Sequence, residues 1–167
     1  MKLLVSDMGG ILYSFDSAQD PMRHEEKFDE AMKELGLTDA PLKDQLEGEW
    51  RAVNSGLLKV YPPREGVENL LRNLQEWKLV IVSTSRVKTS DWILKKIGVK
   101  IDPFRIFDMS DYGGKKDPGA WQKVFEQLPG VEAIVEDGRE NLRAAGEAAR
   151  DLGFAPTLYS QMPKLVK

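Results

Sequence analysis

The sequence contains no cysteine and only one histidine. Without cysteine there can be no disulfide, no zinc thiolate site and no cysteine nucleophile. The lone His24 argues against a His-rich metal centre and against a Ser-His-Asp triad. Long apolar runs are missing as well, and no stretch approaches the ~18 residues of a membrane span. The apolar N-terminal segment is too short, and too acidic at its end, to read as a secretion leader. Nor is there a basic block. A net charge of −3 spread along the chain gives no electrostatic footprint for nucleic acid or an anionic membrane. Repeats and low-complexity tracts are also absent. The expectation is a cytoplasmic protein that handles a small molecule, with no nucleic-acid or membrane partner and with its oligomeric state left open.

What remains is ordinary globular composition, 41% apolar and 31% charged over 167 residues, enough for a full hydrophobic core. Short runs rich in valine, isoleucine and leucine occur at Leu3–Ser6, Leu79–Ser83, Arg105–Phe107, Ala133–Glu136 and Ala155–Tyr159. Near-continuous apolar runs separated by helical stretches read as buried parallel strands. The periodicity predicts helices over Glu65–Trp77, Ser90–Ile97, Pro118–Leu128 and Asn141–Leu152. Asp117 before Pro118 is a good cap and first-turn pair. The fold class is therefore α/β, a doubly wound parallel sheet.

One interval breaks the alternation. Between the first strand and "VYPPREGV" lie two charged amphipathic stretches, about Met22–Leu35 and Pro41–Val53, separated by "GLTDAP". They read as a small helical insert over residues 14–58, with residues 1–13 and 59–167 forming the core.

In open α/β sheets ligands bind at the carboxyl ends of the strands. Here the first strand ends in Asp7, the second in Ser83-Thr84-Ser85 and the fourth in Glu136-Asp137, while "GGKKDP" brings Lys115 and Lys116 before a helix. Carboxylates, hydroxyls and an ammonium thus converge on one rim. A lone strand-end aspartate is usually a cap. A set of this kind can do chemistry, because a carboxylate attacks a phosphoryl group only when anionic repulsion is suppressed.

The set resembles the haloacid dehalogenase-like hydrolase superfamily, in the subgroup with a helical cap after the first strand. Its four motifs occur in order, as "LLVSDMGGIL", "LVIVSTS", "KKDP" and "AIVEDGRENLRAA". The resemblance spans nearly all of the chain outside residues 14–58, and implies a Rossmann-like core. It implies Asp7 as nucleophile, Ser83 and Thr84 as phosphate-binding groups, and Lys115 as the catalytic and substrate-binding lysine, with Lys116 as its alternative. It also implies Mg²⁺ held by Asp7, the Gly9 carbonyl and Asp137, with Glu136 as a further ligand or as a partner of the ligands. Asn141 matches the asparagine that follows the acidic pair.

One departure matters. Phosphatases of this kind usually carry a second aspartate two residues after the nucleophile, as general acid and base, and here that position is Gly9. General acid–base help is worth typically 10²–10⁴-fold. Three readings follow: a phosphatase in which another group, such as Asp16, Asp20 or a glutamate of the insert, replaces the acid; a non-catalytic phosphate- or protein-binding domain; or a carbon–halogen hydrolase. The dehalogenases' aromatic residue and "GT" after the nucleophile are not matched by Met8-Gly9-Gly10-Ile11. His24 reads as a plain surface residue of the insert, the four tryptophans as packing residues, with Trp50 a candidate for facing substrate. Arg86 reads equally as a surface charge or a substrate contact.

Overall fold

A computed structural model describes residues 1–163. Five strands form one parallel sheet: β1 (Lys2–Ser6), β2 (Trp77–Ser83), β3 (Ile106–Asp108), β4 (Ala133–Val135) and β5 (Thr157–Tyr159). Their order is β3-β2-β1-β4-β5, so the first strand is central and is flanked by the strands that end at Ser83 and Val135. That is the doubly wound α/β architecture expected from the sequence. Six helices complete it: α1 (Pro21–Glu34), α2 (Leu42–Ser55), α3 (Val67–Asn73), α4 (Val87–Lys96), α5 (Pro118–Phe125) and α6 (Arg139–Asp151).

Three helical boundaries depart most from the periodicity, one being the end of α5, which stops at Phe125, short of Leu128. The apolar spacing predicts a helix through Trp77, but α3 stops at Asn73 and Trp77 already opens β2. Main-chain pairing of Trp77 with Lys2 and of Lys78 with Leu3 wins over the local helical pattern. Helix α4 begins at Val87, before Ser90-Asp91, because the Ser83 hydroxyl accepts the Ser85 N–H and turns the chain there.

Apart from the edge strand β5, the sheet buries both faces, as its unbroken apolar runs require. Leu4, Leu79, Ile81 and Val135 pack on one side with α3, α4 and the insert helices. Leu3, Val5, Val80 and Ile134 pack on the other with α5 and α6. The insert does not stand apart from this core. Met32 of α1 and Ala52 and Val53 of α2 belong to the same apolar cluster as Leu4 and Ile81. Helices α1 and α2 pack on each other, with α2 also against α4, and so roof the carboxyl end of the sheet. Gly48 of α2 lies against Leu37 of the loop after α1 and near Met32 of α1, and a Cβ there would collide with the Leu37 side chain.

On the far side, Trp121 of α5 is the largest fully buried side chain, and its indole N–H donates to the Lys115 carbonyl at 2.6 Å. This bond ties the loop before α5 to the core, while Asp117 caps the helix by accepting from the Gly119 N–H. Trp121→Phe should keep most of the packing but leave a buried carbonyl without its donor. A loss of about 1–3 kcal/mol in urea unfolding is expected; an unchanged midpoint would show that the bond does not anchor the loop.

Candidate active site

The strand register brings the chemistry together. Ser6 of β1 pairs with Val135 of β4, and the Asp7 N–H continues the ladder to the Val135 carbonyl at 2.8 Å. Asp7 therefore leaves the sheet beside Glu136 and Asp137. One oxygen from each of these three carboxylates lies within 4.8 Å of the others.

Lys115 answers part of that charge. Its ammonium donates to Asp7 Oδ1 at 2.6 Å and to Glu136 Oε2 at 2.7 Å. The Lys115 side chain is 6% exposed, whereas Lys116 is 79% exposed and reaches only Glu140 on the surface. Of the two adjacent lysines, Lys115 faces the site. Burial pulls its ammonium down, yet the Asp7 and Glu136 carboxylates outweigh that and hold it above the ordinary lysine range.

The carboxylates remain crowded. Burial raises the Asp137 carboxyl to about 7, with the Asp7 and Glu136 charges adding to the effect. Glu136 is also raised, by burial first and Asp7 next, against the opposing pull of Lys115. Both Glu136 oxygens are engaged, Oε2 by Lys115 and Oε1 by the Gly138 N–H at 3.2 Å and the Asn141 amide at 3.4 Å. Its place is thus beside the lysine, which it positions.

These groups open into a cavity of about 440 Å³ between the sheet rim and the insert helices. Ser83, Thr84 and Ser85 line one side of it. Met8 N–H and the Lys115 ammonium both bind Asp7 Oδ1, which fixes the carboxylate's orientation.

Each glycine of the "GG" pair has a distinct reason. Gly10 has φ +79, and a Cβ there would lie 2.7 Å from Asp137 Oδ2. At Gly9 a Cβ would lie 2.9 Å from the His24 imidazole Nε2. The expectation that His24 is a plain surface residue is therefore corrected. His24 sits in the first turn of α1, half-buried in the cavity wall, and burial of the ring pushes its pKa down while Asp7 pulls it back. No local sequence signal marks it, because its neighbour Gly9 belongs to another element.

Other expectations also resolve. Asp16 and Asp20 do not line the cavity; Asp20 caps α1 through the Met22 N–H and Asp16 accepts from the Asp20 N–H. Arg86 binds Asp108 at 3.0 Å and Asp111 at 3.2 Å, away from the cavity lining. Trp50 lies under the Lys88 ammonium and does not face the cavity either. Of the insert's carboxyls, Glu25, Asp29 and Glu49 do line it.

Glu49 is the unusual one. It is buried with Oε1 unpartnered, and desolvation raises it to about 7, against the Ser85 hydroxyl beside it. Between the ordinary glutamate value and about 7 the folded chain keeps a proton that the unfolded chain has lost, so stability falls as pH rises through that window. The penalty reaches about 3 kcal/mol above it. Glu49→Gln should therefore gain thermal stability over the native chain at pH 8 and gain little at pH 5. Equal differences at both pH values would contradict a buried, titrating Glu49.

No family model matches the sequence, and no curated protein is similar enough to match it. Solved structures do match. A haloacid dehalogenase family enzyme from Bacteroides thetaiotaomicron, in complex with magnesium and inorganic phosphate, superposes with a TM-score of 0.58 at 16% identity, over 96% of this chain and 93% of that one. A protein of Thermotoga maritima provisionally assigned as a beta-phosphoglucomutase gives 0.57 at 17% identity, over 100% and 88%. The L-2-haloacid dehalogenase of Xanthobacter autotrophicus gives 0.51 at 16%, over 89% and 75%. Among the described residues no helix is long and apolar enough to cross a membrane. The chain has the haloacid dehalogenase-like fold.

Proposed function

We propose that the protein is a Mg²⁺-dependent phosphoric monoester hydrolase that works through an aspartyl-phosphate on Asp7. The observation that carries the reading is the bridging of Asp7 and Glu136 by the buried Lys115 ammonium, on the inner wall of a cavity that the Ser83 and Thr84 hydroxyls help to line. An ammonium in hydrogen-bond contact with the nucleophile is suited to approach by a phosphate dianion. The metal fits the residues present. The donor set is all oxygen, as a hard cation prefers, and Asp7, Glu136 and Asp137 each bring one oxygen within 4.8 Å of the others. Asp7, Asp137 and the Gly9 carbonyl would hold the ion. Bound there, it supplies charge neutralisation between carboxylate and phosphate.

The chain's own residues do the rest. Met8 N–H and Lys115 hold Asp7 Oδ1, which orients the carboxylate for attack on phosphorus. Ser83 still has its hydroxyl proton to donate to a phosphate oxygen, since its oxygen only accepts from Ser85 N–H. Glu136 and Asn141 keep Lys115 in place during attack. Water then cleaves the aspartyl-phosphate, which returns Asp7 and releases inorganic phosphate.

The cavity also states a preference among esters. Its lining carries six carboxyl side chains, Asp7, Glu25, Asp29, Glu49, Glu136 and Asp137, against the one lysine, Lys115. Lys115 is already engaged by Asp7 and Glu136, and Glu25 and Asp29 stand exposed at the edge, so a second phosphate or carboxylate on the substrate would meet like charge without a partner. Esters whose remaining part is neutral or cationic suit it better.

Phosphate release from an aryl phosphate with Mg²⁺ should fall by about 10⁴-fold or more in Asp7→Asn, a change that keeps the shape and removes the nucleophile. Calorimetric Mg²⁺ uptake should weaken in the same variant. If no ester turns over in the native chain under any metal condition, a binding role replaces the hydrolase; release of halide from 2-haloacids would favour the carbon–halogen reading instead. Among alkyl monoesters, an amine-bearing one should give a higher kcat/KM than a carboxylate-bearing one of equal size. The difference should shrink as salt is added.

A further inference from the structure

The general acid carboxylate expected two residues after Asp7 is absent, and its space is not empty. A Cβ on Gly9 would come within 2.9 Å of His24 Nε2 and 3.5 Å of His24 Cε1. The imidazole is held there from three sides. Its Nδ1 accepts the Phe15 N–H at 2.8 Å. Its ring stacks on Phe15 with centroids 4.6 Å apart and planes 7° from parallel, and meets the Tyr13 ring edge-on at 5.5 Å. Tyr13 and Phe15 are themselves buried.

The Nδ1 bond fixes more than orientation. A ring nitrogen that accepts from a backbone N–H carries no proton, so in the neutral ring the proton is on Nε2. The lid helix therefore directs an N–H donor, and not a carboxylate, to position 9 beside the nucleophile. The residues there explain each other: the imidazole needs glycine at 9, and glycine at 9 leaves room for the imidazole.

We propose that His24 takes the place of the missing motif-one side chain and hydrogen-bonds, through Nε2–H, the ester oxygen of the bound phosphate monoester. This rests on the phosphatase reading above. As the Asp7–phosphorus bond forms, the phosphorus–ester oxygen bond breaks and its electron pair stays on that oxygen. The Nε2–H bond stabilises the charge that develops there. The imidazole keeps its proton; a solvent water protonates the alkoxide, leaving hydroxide in solution. His24 is in this way a donor and not the acid. The poorer the leaving group, the more charge the ester oxygen carries in the transition state and the more His24 contributes.

Because His24 is the sole histidine, its ring nitrogens give resonances that need no assignment. In ¹⁵N-labelled protein the Nε2–H tautomer should dominate, and Mg²⁺ with inorganic phosphate should shift the Nε2 signal. Rapid exchange between tautomers overturns the proposal, as does phosphate that binds by calorimetry without moving that signal. In kinetics, His24→Ala should lower kcat/KM for an alkyl phosphate by about 10²-fold and for an aryl phosphate by far less. His24→Gln, which keeps a side-chain N–H, should recover part of the alkyl rate. Equal losses on both esters overturn the donor role. Gly9→Asp supplies a readout independent of turnover: it should lower the unfolding midpoint in the native background and be tolerated in the His24→Ala background. Equal effects in both overturn the placement. A native chain without esterase activity refutes the phosphatase reading, and the tautomer, the phosphate titration and the stability cycle then still judge His24.

Discussion

Three carboxylates crowd the ends of two adjacent parallel strands, and the site is organised around their mutual repulsion. The crowding follows from the register of β1 against β4, which sets Asp7 beside Glu136 and Asp137. One ammonium meets two of the three. Such a buried pair is poor evidence of stability, because desolvating both partners consumes most of what their attraction returns. Its value lies in fixing where the ammonium and the carboxylate point. The structure supports that ammonium from behind: Trp121 holds the Lys115 carbonyl, Asp117 starts α5, and Asn141 and Gly138 hold the far oxygen of Glu136. Among the described residues Asp137 has no ammonium of its own, and burial first, then the Asp7 and Glu136 charges, raise it to about 7. A doubly charged cation is the simplest chemical answer to that crowding.

The sheet was legible because the strands other than the edge strand β5 are buried on both faces and so appear as apolar runs; placing all motifs on one rim set the first strand between those that end at Ser83 and Glu136. Helix ends were less so. The pattern Val67, Leu70, Leu71, Leu74 is helical, and nothing in it reveals that the chain must turn at Leu74 to let Trp77 pair with Lys2. Pairing partners far apart in sequence decide such boundaries.

The candidate site divides in the same way. Asp7, Ser83, Lys115, Glu136 and Asp137 each follow a strand or precede a helix, so their positions could be read from local pattern, and the structure brings them into one cavity. Thr84 stands with them. The insert's contributions could not be read. His24 and Glu49 are two charged-helix residues among many, and only the packing of α1 and α2 over the rim separates them from Glu26 or Glu47, which do not line the cavity. The glycine pair was legible as an anomaly but not as an explanation. Gly10 answers to a positive φ and to Asp137, Gly9 to an imidazole fifteen residues away in the chain.

The manner in which the insert is attached bears on how the site selects. Met32, Ala52 and Val53 are buried in the same cluster as the central strands. Swinging the two helices away from the sheet would expose them, at about 1.5–3 kcal/mol for a side chain of methionine or valine size. Wide opening is thus costly. Substrate must enter by the mouth that exists, past Glu25, Asp29 and the exposed Leu42. A roof fixed in this way also fixes His24, whose ring is stacked between the roof and the loop after β1. A side chain at position 9 would ride on the loop that carries Asp7, whereas an imidazole from α1 keeps its aim only while the roof is seated. The glycine at 9 therefore makes the chemistry of the rim depend on the packing of the lid.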